Sequence, residues 1–91
     1  MATIAVMLKI DGEDVTRGLQ QAGMRLDTAD GHLVLDFSAV RRIDPATVNA
    51  LAELAGIADG KGIRLVLRGV NIDVYRVLKL AKLAPRFSFP S

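Results

Sequence analysis

Leu33-Val34-Leu35-Asp36-Phe37-Ser38-Ala39-Val40-Arg41-Arg42-Ile43-Asp44-Pro45-Ala46-Thr47 is the stretch of this 91-residue chain that decides its fold. His32 to Phe37 is a short, mostly apolar run of the kind found in a sheet covered on both faces. A loop follows through Ser38 to Ile43, and Asp44 then opens a helix. The Asp44 carboxylate can accept the orphan N–H groups of a first turn, and Pro45 suits the first helical position, where its missing N–H costs nothing. Val48, Leu51, Ala55 and Ala58 line one face at i, i+3, i+7 and i+10, until Asp59-Gly60-Lys61-Gly62 stops the helix. A strand leading through a loop into a capped helix is the repeating unit of an α/β fold.

The flanks repeat the unit. On the N-terminal side, the β-branched and apolar run Thr3 to Ile10 reads as a strand closed by Asp11-Gly12. Asp14 or Thr16 then caps a helix with Val15, Leu19, Ala22 and Leu26 on one face. Gly18 and Gly23 weaken it by about 1 kcal/mol each, so it depends on tertiary packing. Asp30-Gly31 ends it. On the C-terminal side, Ile63 to Leu67 is a strand, Gly69 a turn, and Asn71 the cap of a third helix, Ile72 to Leu83. Pro85 forbids its continuation, and Phe87-Ser88-Phe89 forms a brief last strand. The order β-α-β-α-β-α implies right-handed crossovers and a small mixed, largely parallel sheet with three helices. With no linker or repeat, residues 1–91 form a single domain.

Composition excludes several classes of function. There are no cysteines, which removes disulfides, thiolate nucleophiles and Cys-ligated zinc. His32 is the only histidine, so no His pair exists to anchor a transition metal, and no cofactor is expected. The apolar N-terminal stretch Ala2 to Leu8 runs into Lys9 and Asp11, too short for a membrane helix and without a basic leader. A soluble, cytoplasmic protein with no direct membrane insertion is expected. A net charge of +2 and four aromatic rings supply no basic, ring-studded surface for nucleic acid.

Leu33 to Val40 followed by the helix-opening Asp44 resembles the core of the STAS family (sulphate transporter and anti-sigma factor antagonist). Gly60-Lys61-Gly62 with Ile63 to Leu67 is similar to that family's next turn and strand, and Val77-Leu78 through Leu83 to its third helix. The resemblance covers roughly residues 33 to 89. It implies a non-catalytic module that binds a protein partner, either an anti-sigma factor of kinase-like type or a transporter ATPase. In the antagonists a Ser or Thr directly after the helix-opening Asp is phosphorylated, which releases the partner. A phosphate there sits among free N–H groups at the positive end of a helix dipole, and its charge can break an interface. This sequence departs from the pattern at that point, because Pro45 and Ala46 carry no hydroxyl and the first one is Thr47. The family's first hairpin is also shortened to one strand. The resemblance therefore implies a binding surface without the standard phosphoacceptor.

On this reading the partner interface comprises Asp44, Pro45, Ala46, Thr47 and Val48, with Tyr75 added from the third helix. Thr47 is the candidate displaced phosphoacceptor, but two positions along a helix rotate a side chain by about 200°, and its methyl can equally pack on the core. Asp36 and Asp44 invite comparison with a receiver domain, a small phosphotransfer enzyme. No nucleophile, base and orienting group complete a catalytic set beside them. Arg41-Arg42 reads as a solvated loop that can steer an acidic partner. If Val74, Val77, Leu78 and Ala81 face the sheet, then Tyr75, Leu80 and Leu83 share the opposite arc, which either the terminal strand covers or a partner binds; a weak homodimer is a further expected association. Partner switching is the first functional expectation, and docking on a transporter ATPase is the alternative.

Overall fold

Among the described residues every strand pairing is parallel, in the order β1-β2-β3, with β1 Val6–Lys9, β2 His32–Asp36 and β3 Arg64–Arg68. The computed structural model describes residues 6–27 and 31–90, with Val6 described by its backbone alone. Thr3 to Ala5 of the expected first strand, and Asp30 of the expected stop signal, lie outside the described residues. Helices α1 Val15–Arg25, α2 Pro45–Lys61 and α3 Ile72–Leu80 alternate with the strands, and a single 3₁₀ turn follows at Ala84–Arg86. This is the α/β order that the sequence implies.

Among the described residues, the helices cover one face of the sheet, not two. The register aligns Leu8, Leu35 and Leu67 across the strands, and Leu33 beside Leu65. The buried leucines of these rows join Leu19, Leu51, Leu54, Val74 and Leu78 from the three helices in one core. Each fully buried leucine contributes about 1.5–3 kcal/mol of transfer free energy. The alternate row, Met7, Val34 and Val66, faces away: Met7 is 55% exposed and the two valines are half-buried. The physical reason is topological. In a sheet of strictly sequential order, right-handed crossovers place every helix on the same side.

Helix boundaries follow from their caps. Asp14, not Thr16, caps α1, accepting the Arg17 N–H at 3.3 Å. At the end of α2, Gly62 adopts φ +70° while Ile63 N–H reaches back to the Ala58 carbonyl at 2.9 Å. The same motif ends α3, but its left-handed residue is Lys82 at φ +61°, with Leu83 N–H on the Leu78 carbonyl at 2.8 Å. This turn stops α3 at Leu80, ahead of the expected Leu83, and redirects the chain. Leu83 is therefore buried in the core, whereas Ala81 is exposed and Leu80 is 79% exposed. The expected last strand reduces to one parallel bridge, Ser88 beside Val66. Exposed ion pairs Lys61–Asp27 and Arg86–Asp59 tie the end of α2 to its neighbours, for about 0–1 kcal/mol each at most. Among the described residues, no helix is long and apolar enough to cross a membrane.

Candidate functional site

A parallel sheet delivers the C-terminal ends of all its strands to one edge, so the three connections that leave them meet there. The middle one, residues 37–44, is gripped from both sides. On one side, Gly12 approaches the Ala39 carbonyl so closely that a Cβ would lie 2.0 Å from its oxygen. On the other, Gly69 (φ +74°) packs on Ser38, where a Cβ would meet the Ser38 backbone at 3.1–3.2 Å. Asn71 completes the grip, its Nδ2 donating to the Val40 and Arg41 carbonyls at 3.3 and 3.0 Å. The loop's own turn is closed by Val40 N–H on the Phe37 carbonyl at 2.9 Å. Val40 is buried, and Arg41, Arg42, Asp44, Pro45 and Ala46 are left exposed.

Asp36 and Asp44, the carboxylates of the second strand's end and the second helix's start, both hold backbone. Asp36 Oδ1 accepts the Ser38 N–H at 3.0 Å. That bond, then the Ser38 hydroxyl and the cations Lys9 and Arg68, keeps the Asp36 carboxyl below its ordinary value. Asp44 Oδ1 accepts the Thr47 N–H at 2.7 Å, capping α2 with Pro45 at its start. The Thr47 hydroxyl and N–H hold the Asp44 carboxyl low as well. Both groups therefore stay ionised and occupied. Among the described residues, no three His, Cys, Asp or Glu side chains gather as a metal site, and His32 stands exposed at the start of β2.

Thr47 is only 4% exposed, because it lies on the face of α2 that also buries Leu51, Leu54 and Ala58. Val48 is half-buried. Beside Thr47 lies a shallow depression of about 370 Å³ bordered by Gly12, Glu13, Thr16, Arg42, Asp44 and Thr47 itself. Tyr75 stands elsewhere. It is 41% exposed, meets Phe89 edge-on at 5.1 Å, and lines a separate depression of about 290 Å³ with Leu67, Val70 and Ile72. From its first turn onward α2 presents a face of short side chains, with Ala46, Asn49, Gly56 and Gly60 exposed alongside Glu53 and the 48% exposed Ile57. Sequence reasoning found the cap and the helix. It missed Gly12, Gly69 and the second role of Asn71, whose only sequence signal is an amide where Ser or Asp would cap equally well.

The family described as "Mlab, STAS domain" matches residues 2–85. The intermembrane phospholipid transport system binding protein MlaB of Escherichia coli is 33% identical over 81 residues, 89% of this chain and 80% of that protein. MlaB of Shigella flexneri matches to the same extent. Among solved structures, a Thermotoga maritima protein proposed as an anti-sigma factor antagonist shares the fold at 19% identity. Its NMR structure gives a TM-score of 0.75 over 93% of this chain and 72% of that one, and its crystal structure 0.70 over 98% and 74%.

Proposed function

The chain belongs to the STAS family, and on that footing we propose that it is a non-catalytic, cytoplasmic accessory module that docks through the start of α2 on the ATP-hydrolysing subunit of a phospholipid transporter. One observation carries the choice. The exposed start of α2 offers Asp44, Pro45 and Ala46 and no accessible hydroxyl, since the Thr47 side chain is buried. A partner-switching antagonist needs a residue there that a kinase can reach. A docking subunit needs only a surface that stays competent. The 33% identity to MlaB, named for phospholipid transport, supports the same choice.

The physics of docking suits the surface. Short side chains along α2 let a partner's backbone or side chains come close, and Ile57 supplies an apolar anchor. Arg41 and Arg42 flank the entrance as a cationic rim, which speeds encounter with an acidic surface more than it tightens the complex. A receiver-like activity has less support, because Asp36 and Asp44 are both engaged with backbone N–H groups.

Calorimetric titration tests the proposal: the purified chain against the purified ATPase subunit of its own organism's phospholipid transporter, and in parallel against a kinase-like anti-sigma factor. Saturable one-to-one binding to the first is expected. Binding to the second alone, with ATP-dependent release, would replace docking with partner switching.

A further inference from the structure

One side chain joins the start of α3 to the loop in front of α2. Asn71 Oδ1 accepts the Val74 N–H at 2.7 Å, capping α3, while Nδ2 of the same amide donates to two loop carbonyls, Val40 at 3.3 Å and Arg41 at 3.0 Å. The neighbours fix the orientation of the amide. Flipped, it would set N–H against N–H and oxygen against both carbonyls. Capping alone does not call for asparagine, since serine or aspartate caps as well, and Asp14 and Asp44 cap α1 and α2. Only an amide accepts from a helix while donating twice to a loop. The clamped residues are the ones that matter to display: Val40 is anchored in the core, and the exposed Arg41 and Arg42 lead on to Asp44.

We propose that Asn71 is a positioning residue for the docking surface. It fixes the path of the loop from Val40 to Ile43, and so sets where Arg41, Arg42 and the first turn of α2 stand relative to α3. The assignment rests on the start of α2 being the docking surface. Asn71→Asp separates the two roles of the side chain, because a carboxylate still caps α3 but meets the two carbonyls with an acceptor in place of a donor. Asn71→Ser caps without reaching the loop and serves as the second variant.

Amide hydrogen exchange on the whole chain and affinity for the transporter's ATPase subunit are the two readouts. In both variants the Val74 and Tyr75 amides should keep their protection, while those of Val40 and Thr47 exchange about tenfold faster. Affinity should fall about tenfold if about a tenth of the loop population stays competent. Unchanged exchange in the loop overturns the clamp. Faster loop exchange with full affinity overturns the positioning role, and a rise at Val74 equal to that of the loop does so too, marking a general stabiliser. Wild-type chain that fails to bind the ATPase subunit overturns the docking surface itself, and with it the positioning role. That failure is told apart by the loop exchange, which reads the clamp with no partner present.

Discussion

Replacing Gly12 with alanine drives a methyl group into the backbone of the adjacent loop. The added Cβ would lie 2.0 Å from the Ala39 carbonyl oxygen and 2.9 Å from its carbon, where real Cβ contacts stay beyond 3.0 Å. One of the two loops must therefore retreat by about 1 Å, the difference between those distances. Neither wall is a flexible side chain that could swing aside. Overpacking of this kind costs about 1–3 kcal/mol, against a total of about 5–15 kcal/mol for a native domain. At about 4–8 °C per kcal/mol for a chain of this size, a loss near 2 kcal/mol lowers the melting temperature by about 8–16 °C. Calorimetry beside a urea titration measures both quantities. A Gly12→Ala melting point within about 2 °C of wild type would refute the close approach of the two loops. Since the displaced loop carries the proposed docking surface, the same variant should also bind its partner more weakly.

Three other perturbations have definite signs. Gly56 lies inside α2 with nothing within 4 Å of an added methyl, so Gly56→Ala should stabilise the domain by about 0.5–1 kcal/mol in urea titration; a loss would mean that this face of α2 is already covered. Lys82 holds a left-handed conformation that suits glycine, so Lys82→Gly should raise stability by up to about 1 kcal/mol, and a lower melting point would refute the turn described at the end of α3. The Asp44 carboxyl is held below its ordinary value of 3.8, so its contribution is present above that value and is lost as pH falls through the lower folded value. Asn at position 44 caps without charge, so the stability of Asp44→Asn should fall less than that of wild type between about pH 5 and pH 2; parallel curves would exclude the effect.

What could be read in the sequence was local. Asp44 before Pro45, and Asn71 before an apolar helix, state their caps in adjacent residues, and the alternation of strand and helix follows from them. The covering of the sheet could not be read so directly. Val34 and Val66 are as apolar as Leu33 and Leu65, so a run of hydropathy cannot say which face stays open; the sequential strand order decides that. The fate of Leu80 and Leu83 turned on Lys82, whose left-handed turn has no sequence signature because glycine usually marks it. For Thr47 the sequence left a displaced acceptor and a residue packed on the core side by side, and the way α2 lies on the rest of the core decides for burial. The grip on the loop before α2 comes from Gly12, Gly69 and Asn71, which lie far apart in the chain from Ser38 to Arg41, and only the folded sheet edge brings them together.

The central claim is that the start of α2, which offers no accessible hydroxyl, is where a transporter ATPase docks, and Ala46→Glu tests it most directly. Ala46 is exposed, and a carboxylate in a first helical turn is favoured by the helix dipole, so the fold should keep or slightly raise its melting point. The added bulk and charge would stand in the middle of the proposed interface. Calorimetric titration of wild type and variant with the ATPase subunit should show affinity falling by at least about tenfold with the melting point intact. Equal affinity in the two proteins would contradict the claim and move the docking surface away from the start of α2.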